Sequence, residues 1–264
     1  MPRPSSRSTS PRPGASAVRE RRRPEVLHGQ GSPLRLGPWQ GAASVASIVP
    51  VHGGVPCAVA DVRAAVAVLA DRGYESIVTA ALAPLDQAAF LTAGFTVHER
   101  LHLLARSLPA TPPPPPPAGV GLRRAQHRHR DAVLDLDHRA FEPFWRLDAD
   151  GLVDALAATP SSRFRVAVTD ACATSPVVGY SVIGRASHRG YVQRLAVEPG
   201  RPGSGLGRTL LLDGLRWLER RRVRRVMVNT QERNAAALAL YEREGFERQP
   251  GGLAVLSLPL REAT

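Results

Sequence analysis

The sequence contains no lysine: all 35 of its basic residues are arginine. This excludes a Walker-type phosphate loop, which needs a lysine directly after its last glycine. Cys57 and Cys172 are the only cysteines, which excludes a disulfide framework and favours a reducing compartment. No apolar run reaches the roughly 18 residues that span a membrane. We therefore expect a cytoplasmic protein with no membrane partner.

The abundant Arg, Ala, Gly and Pro are typical of a GC-rich genome and are discounted as functional evidence. Residues 1–38 hold eight Arg and two Glu without periodic apolar positions, which predicts a disordered basic tail. Prolines 112–117 lie in a segment, 108–118, that we interpret as a stiff proline-rich linker. The linker separates residues 39–107 from residues 119–264.

Residues 119–264 alternate between strand and helix patterns. Residues 164–168 and 223–228 have the alternation or β-branched content of strands. Residues 206–218 place leucines on one stripe of a helix, and residues 234–244 predict another helix that ends at a glycine. The predicted order is strand, two helices, three strands, helix, strand, helix, strand, which is an α/β (α+β) pattern.

A glycine-rich turn follows the predicted strand at residues 190–197 and leads directly into a helix. Its glycines let consecutive backbone N–H groups point at one anion, and the helix start adds free donors and a positive dipole end. A pyrophosphate fits such a cradle. The glycines are not in the order of a dinucleotide fingerprint: Gly200, Gly203, Gly205 and Gly207.

Two motifs resemble those of the GCN5-related N-acetyltransferase (GNAT) family, in an actinobacterial-like form. The family's acetyl-CoA motif, Arg/Gln-x-x-Gly-x-Gly/Ala, is similar to Pro202-Gly203-Ser204-Gly205-Leu206-Gly207. Its Asn, Ala-Leu-Tyr and Gly-Phe are matched in order within residues 234–246. The resemblance implies the GNAT fold, a mixed and mostly antiparallel central sheet flanked by helices, and acetyl-CoA as co-substrate.

The resemblance also implies residue roles. The acetyl-CoA-binding residues would be Leu195, Ala196, Val197, Gly203, Ser204, Gly205, Leu206, Gly207, Arg208 and Asn234. The Val197 N–H would polarise the thioester carbonyl. Tyr241, seven residues after Asn234 and so on the same helix face, would protonate the leaving thiolate as general acid. The alternative for Tyr241 is a core tyrosine.

Two positions depart from the family pattern. Pro202 stands where the family has Arg or Gln, and proline offers neither charge nor N–H. Asn229 stands where some members carry a glutamate base. The general base therefore stays open between a chain of waters and three carboxylates, Glu142, Asp148 and Glu198.

The family's acceptor site is shaped by its first two helices and the loop between them. That stretch, residues 141–148, holds three aromatic residues, in a chain whose aromatic content is only 5%. We predict four substrate-binding residues there: Glu142, Phe144, Trp145 and Asp148. The alternative is a packed helix joint. Three histidines nearby, His127, His129 and His138, have no zinc-type spacing, so no metal is expected.

Residues 39–107 resemble the second half of the same fold. Residues 76–79 are similar to residues 227–230, and residues 90–95 to residues 241–246; Thr79 to Gly94 and Thr230 to Gly245 are both 15 residues apart. Phe90 replaces the tyrosine, and no glycine-rich turn precedes the helix. This indicates a degenerate GNAT-like half-domain, a partial copy ahead of the GNAT domain at 119–264.

The expected function is acetyl-CoA-dependent N-acetyl transfer to a primary amine, by direct attack of the amine on the thioester. The amine would belong to a small molecule, a peptide or a protein. Two alternatives are a non-catalytic CoA-binding regulator on the same fold and a nucleic-acid-associated protein acting through the basic tail. Nucleic acid is the less favoured partner because a solvated tail explains the charge.

Overall fold

The computed structural model describes residues 25–51, 55–109, 112–169, 176–201 and 203–260. Within these ranges the strands are β1 (Glu25–Leu27), β2 (Leu34–Pro38), β3 (Val45–Pro50), β4 (Ser76–Thr79), β5 (Thr96–Ser107), β6 (Val120–Arg124), β7 (Ser161–Thr169), β8 (Val177–Ala186), β9 (Arg189–Val197), β10 (Arg225–Gln231), β11 (Glu247–Arg248) and β12 (Leu253–Pro259). The helices are α1 (Val59–Asp71), α2 (Pro84–Thr92), α3 (Arg130–Ala140), α4 (Ala149–Ala157), α5 (Leu206–Glu219) and α6 (Ala235–Arg243). Short 3-10 turns occupy His127–His129 and Pro143–Trp145.

The chain forms two compact units that do not follow chain order. The first contains the described residues up to Ala80, residues 85–96 and those from Leu256 onward. The second contains residues 81–84 and 97–255. No helix in the described part of the chain is long and apolar enough to span a membrane.

The first unit is built on the strand order β1-β2-β3-β4. The pairs β1–β2 and β2–β3 are antiparallel, and β3–β4 is parallel, with α1 as the crossover. Residues Ser257 to Pro259 of β12 pair antiparallel with β4. Val62, Ala65 and Leu69 recur at helical spacing on α1 and are fully buried.

The prediction of a disordered tail at residues 1–38 is wrong for residues 25–38, which contain β1 and β2. Leu34 and Leu36 are 0% exposed, because β2 pairs with β3 inside the first unit. Two alternating leucines among Gly, Pro and Arg are too short a pattern to predict a strand. Residues 1–24, with most of the predicted tail, lie outside the described residues.

The second unit confirms a mixed, mostly antiparallel sheet flanked by helices. Its strand order is β5-β10-β9-β8-β7-β6, and only β9–β10 is parallel. Neighbouring residues of β8 face opposite sides: Val182 packs in a cluster with α3 and α4, and Ile183 in one with α5. The predicted strand at 223–228 begins at Arg225 and extends to Gln231, because β5 pairs along its whole length.

β5 lies in a different unit from the one that its sequence neighbours suggest. The half-domain pattern makes residues 101–104 a closing strand for residues 39–107. In the structure Leu101 to Ser107 pair with β10 of the second unit, while β12 pairs with β4 of the first. The two strands thus pair in the opposite units from those that chain order predicts. Strand patterns show which face is apolar but not which strand is the pairing partner, so the sequence does not reveal this exchange of β5 and β12.

Candidate functional site

Two parallel strands of the second unit separate where the glycine-rich segment approaches. β9 and β10 are paired from Arg189 and Arg225 as far as Val192 and Val228. Beyond that point β10 continues alongside β5, while the register of β9 against β8 shifts so that Gln193 has no partner. An extra residue of this kind is a β-bulge, which bends its strand. The bend opens a cleft between β9 and β10.

The last residues of β9 present unused backbone groups to this cleft. The Glu198 N–H donates to the Val178 carbonyl of β8 at 3.0 Å. Successive N–H groups along a strand point to opposite sides, so every second N–H of β9 counted back from Glu198 also faces β8. The N–H groups of Leu195 and Val197 therefore point to the cleft. The third residue predicted here, Ala196, directs its backbone to β8 and is buried.

The glycine-rich turn is open and shaped for an anion. Gly203 and Gly205 have φ of 72° and 75°, and a Cβ added at either meets nothing within 4 Å. The Thr209 N–H donates to the Gly205 carbonyl at 3.0 Å, the first such bond of α5. The amides of Gly207 and Arg208 have no backbone acceptor among the described residues. Free amides and the positive end of α5 thus converge on open space.

Further contacts place the other predicted residues of the turn. The Ser204 Oγ accepts from the Leu206 N–H at 3.5 Å, and the Leu206 side chain is buried in the core. The Arg208 guanidinium pairs with Glu244 at 2.5 Å, a carboxylate that is 7% exposed at the end of α6. Its charge is therefore neutralised within the protein, whereas its amide faces the turn. Pro202, the departure from the family motif, lies outside the described residues.

Asn234 and Tyr241 both line the pocket between β9 and β10. Asn234 caps α6: its Oδ1 accepts from the Ala237 N–H at 3.1 Å, which leaves its amide nitrogen for another partner. Tyr241 is 5% exposed, and its hydroxyl has no hydrogen-bond partner within the described ranges. Burial raises the pKa of Tyr241 well above that of a free tyrosine. The hydroxyl thus keeps its proton.

The predicted acceptor loop contributes one of its four candidates to the pocket. Trp145 lines it, and its indole N–H donates to the Glu99 Oε2 at 2.6 Å. Phe144 stacks on His98 with ring centroids 4.2 Å apart. Glu142 is exposed and pairs with Arg233 at 2.5 Å. Asp148 caps α4 by accepting from the Gly151 N–H at 2.7 Å.

The carboxylates offered as general base lie outside the pocket lining. Glu142 and Asp148 are engaged as just described. Glu198 pairs with Arg139 at 2.7 Å, and this hydrogen bond lowers the pKa of Glu198. Asn229, at the position where some family members have a base, does line the pocket but cannot take up a proton at neutral pH.

Sequence reasoning missed a buried ion pair beside the pocket. Asp137 is 0% exposed and receives two hydrogen bonds from Arg194, at 2.8 and 2.9 Å. It also accepts from the Tyr180 hydroxyl and, at 2.8 Å, from the Leu147 N–H. In a chain with 35 Arg neither partner stands out. One signal was available in the sequence. Asp137 follows Leu136 and lies one turn after Val133, so this acidic residue is next to the apolar stripe of α3.

Two of the three histidines, His129 and His138, have structural contacts. The His129 Nδ1 accepts from the Gln126 N–H at 2.9 Å, and a ring nitrogen of His138 lies 2.8 Å from the Leu147 carbonyl. Within the ranges given above, no three His, Cys, Asp or Glu side chains are grouped to hold a metal ion.

The comparison with protein families decides the assignment. The model described as "Acetyltransferase (GNAT) family" matches residues 130–246, which hold the cleft, the glycine-rich turn and α6. The chain belongs to the GNAT family. The matched GNAT region starts with α3 and ends just after α6, at Phe246.

Curated relatives of this GNAT chain are named mycothiol acetyltransferase. The protein of Amycolatopsis mediterranei (strain U-32) is 46% identical over 59 residues, which are 22% of this chain and 20% of that protein. The protein of Thermobispora bispora is 32% identical over 196 residues, which are 69% of this chain and 66% of that protein. The chain thus spans about a fifth of the length of the former relative.

Solved structures support the GNAT fold. A tandem GNAT protein from the clavulanic acid biosynthesis pathway aligns with a TM-score of 0.65 at 18% identity, covering 89% of this chain and 80% of that one. A GCN5-related N-acetyltransferase from Kribbella flavida aligns with a TM-score of 0.59 at 16% identity, covering 93% and 91%. The tandem neighbour agrees with a partial N-terminal copy of the fold.

Proposed function

We propose that this GNAT protein transfers an acetyl group from acetyl-CoA to a primary amine. The observation that carries the proposal is the cleft between β9 and β10, which joins an open anion cradle to a buried, protonated tyrosine. The names of the curated relatives support acetyl transfer as the reaction class. The amine, of a small molecule or of a peptide or protein, approaches from the side of Trp145.

The residues of the cleft suit acetyl-CoA, which supplies a reactive acyl thioester when bound. The open glycines and the free amides of Gly207 and Arg208 suit its pyrophosphate. The outward backbone groups of Leu195 and Val197 suit the amides of its pantetheine arm. The free amide nitrogen of Asn234 adds a donor near the thioester end of the cleft.

The chemistry asked of the chain is limited to orientation and proton transfer. An attacking amine forms the new C–N bond as the C–S bond of the thioester breaks. The Val197 N–H points into the cleft, where it can stabilise the developing oxyanion. The Tyr241 hydroxyl delivers its proton to the departing sulfur. The attacking amine, which must be unprotonated, loses its extra proton to water in the open part of the cleft, and a proton from water restores the Tyr241 hydroxyl.

The raised pKa of Tyr241 predicts the shape of the pH profile. Because burial disfavours the phenolate, Tyr241 stays protonated above pH 10, where a free tyrosine would ionise. We expect kcat to show no decline from loss of this proton between pH 7 and 10. Rapid assays after a jump from neutral pH would measure this, and a basic limb below pH 10 that Tyr241→Phe abolishes would contradict it.

A glycine substitution tests the co-substrate site. Gly205→Glu places a negative side chain in the cradle, so we expect calorimetry to show acetyl-CoA binding weakened by roughly a hundredfold or more, since several charge-assisted hydrogen bonds are lost. Gly119→Glu is the matched control, because Gly119 also has a positive φ (71°) and open space around it but lies on no element of the cleft. Absence of binding by the wild type would refute the proposed co-substrate.

Turnover separates an enzyme from a CoA-binding regulator. Release of the free CoA thiol would be followed with a panel of small amines, peptide N-termini and lysine side chains. We expect at least one amine to accelerate release above the rate with water alone. Tight acetyl-CoA binding without release for any amine would favour the regulatory alternative.

A further inference from the structure

Arg194 is held rigidly on the acceptor side of the pocket. Its Nε and Nη2 atoms form a fork with Asp137, and the same Nη2 donates to the Trp145 carbonyl at 2.6 Å. The guanidinium carbon lies 3.5 Å from the centroid of the Phe141 ring. The side chain is 12% exposed, and it lines the pocket. Arg194 thus has one orientation, set by three neighbours.

One arm of this guanidinium is unused. The Nη1 atom has no hydrogen-bond acceptor among the described residues. It is also not fully buried, unlike the unpaired atoms elsewhere that solvent does not reach. Its N–H groups are therefore accessible, on a residue that belongs to the pocket wall. A fixed guanidinium with free donors is a recognition element for an oxygen atom.

The charge around Nη1 restricts which oxygen fits. Asp137 already neutralises Arg194, and the other side chains in the described lining of the pocket are uncharged, including the polar Gln193, Asn229 and Asn234. A carboxylate buried here would lack a counter-charge of its own, which is costly. A carbonyl or hydroxyl oxygen would instead receive a charge-assisted hydrogen bond at little desolvation cost.

We propose that Arg194 binds the acceptor through Nη1 and selects amines that carry an uncharged oxygen, as in an amide or alcohol, close to the amino group. This inference rests on the proposed acetyl transfer, since it names the substrate class of the same pocket. It assigns to Arg194 a contact with the acceptor, distinct from the acetyl-CoA contacts of β9 and the glycine-rich turn.

Three amines of similar size test the proposal. Glycinamide has a carbonyl oxygen, isobutylamine has the same branched shape without oxygen, and glycine has a carboxylate. The measured quantity is kcat/KM by CoA release, expressed per unprotonated amine. For the wild type we expect glycinamide to exceed both other amines by roughly ten- to a hundredfold, the range of a hydrogen bond to a charged group.

Two variants remove the free arm without leaving a lone buried charge. Arg194→Lys keeps a cation beside Asp137, and the double variant Arg194→Gln with Asp137→Asn removes both charges. Each should bring the glycinamide to isobutylamine ratio close to one, with acetyl-CoA affinity unchanged by calorimetry. Arg163→Lys is the matched control, because Arg163 makes a similar fork with Asp213, at 2.8 and 2.9 Å, outside the pocket.

The outcomes separate this inference from the proposed function. A preference for glycinamide that persists in Arg194→Lys, or a wild-type preference for glycine, would overturn the inference while acetyl transfer stands. Saturation-transfer NMR adds a readout without turnover. Binding of glycinamide to the wild type but not to Arg194→Lys, with no CoA release for any amine of the panel, would support the inference and refute the enzyme. Neither binding nor release would overturn both.

Discussion

Replacing Tyr241 with phenylalanine is expected to lower kcat by about a hundredfold to ten-thousandfold, the usual contribution of a general acid. The substitution removes only the hydroxyl, which makes no hydrogen bond within the described structure, so the core around the ring should remain packed. The ring contact with Phe246, at 5.6 Å between centroids, is kept. Calorimetry should show acetyl-CoA affinity within a few-fold of the wild type.

The matched control for this prediction is Tyr74→Phe. Tyr74 is also 5% exposed but belongs to the first unit, so loss of its hydroxyl should leave kcat unchanged. Steady-state CoA release measures both variants. If Tyr241→Phe kept more than a third of the wild-type kcat, Tyr241 would be a core tyrosine and the thiolate would leave without its proton.

Asp137→Asn is expected to destabilise the second unit by about 3–5 kcal/mol, because it leaves Arg194 in a mostly buried site without its counter-charge. The Tyr180 hydroxyl and the Leu147 amide would lose a charged acceptor at the same time. A loss of this size corresponds to a fall of about 6–20 °C in the unfolding temperature for a unit of this length. Differential scanning calorimetry would measure it.

Asp135→Asn serves as the control for that measurement. Asp135 is exposed on the same helix, so its neutralisation should change stability by less than about 0.5 kcal/mol. The double variant Asp137→Asn with Arg194→Gln should recover part of the loss, because no charge is left unpaired. Equal unfolding temperatures for Asp137→Asn and Asp135→Asn would show that the ion pair contributes nothing to stability.

Most of the second unit's elements were predictable because their cues are local. Leu206 and Leu210, one turn apart, mark the apolar stripe of α5, which continues through Gly214, and Gly205 ahead of them is its N-cap. Asn234 and Tyr241 could be placed on one helix face because they are seven residues apart, and the family resemblance implied that this face belongs to the acetyl-CoA site. Gly203 and Gly205 adopt positive φ in open space, as an anion-binding turn requires.

Prediction was weaker where the decisive partner is distant in the chain. One miss was local instead: Asp148 was proposed as a pocket acid, yet it caps α4 by accepting from the N–H of Gly151, three residues further on. Residues 25–38 were read as a tail because the strand that pairs with β2 follows later in the sequence. The Arg194–Asp137 pair, separated by 57 positions, left no local trace in an arginine-rich chain.

The sequence alone determined the family motifs, the order of helices and strands in the second half, and the residues that meet on α6. These depend on spacing within about a dozen residues, which backbone geometry converts directly into shared faces. Only the tertiary structure decided the exchange of β5 and β12, the bulge at Gln193 that opens the cleft, and the fixed Arg194. Each of these follows from strand pairing or burial, and such contacts are chosen by the whole core rather than by any one segment.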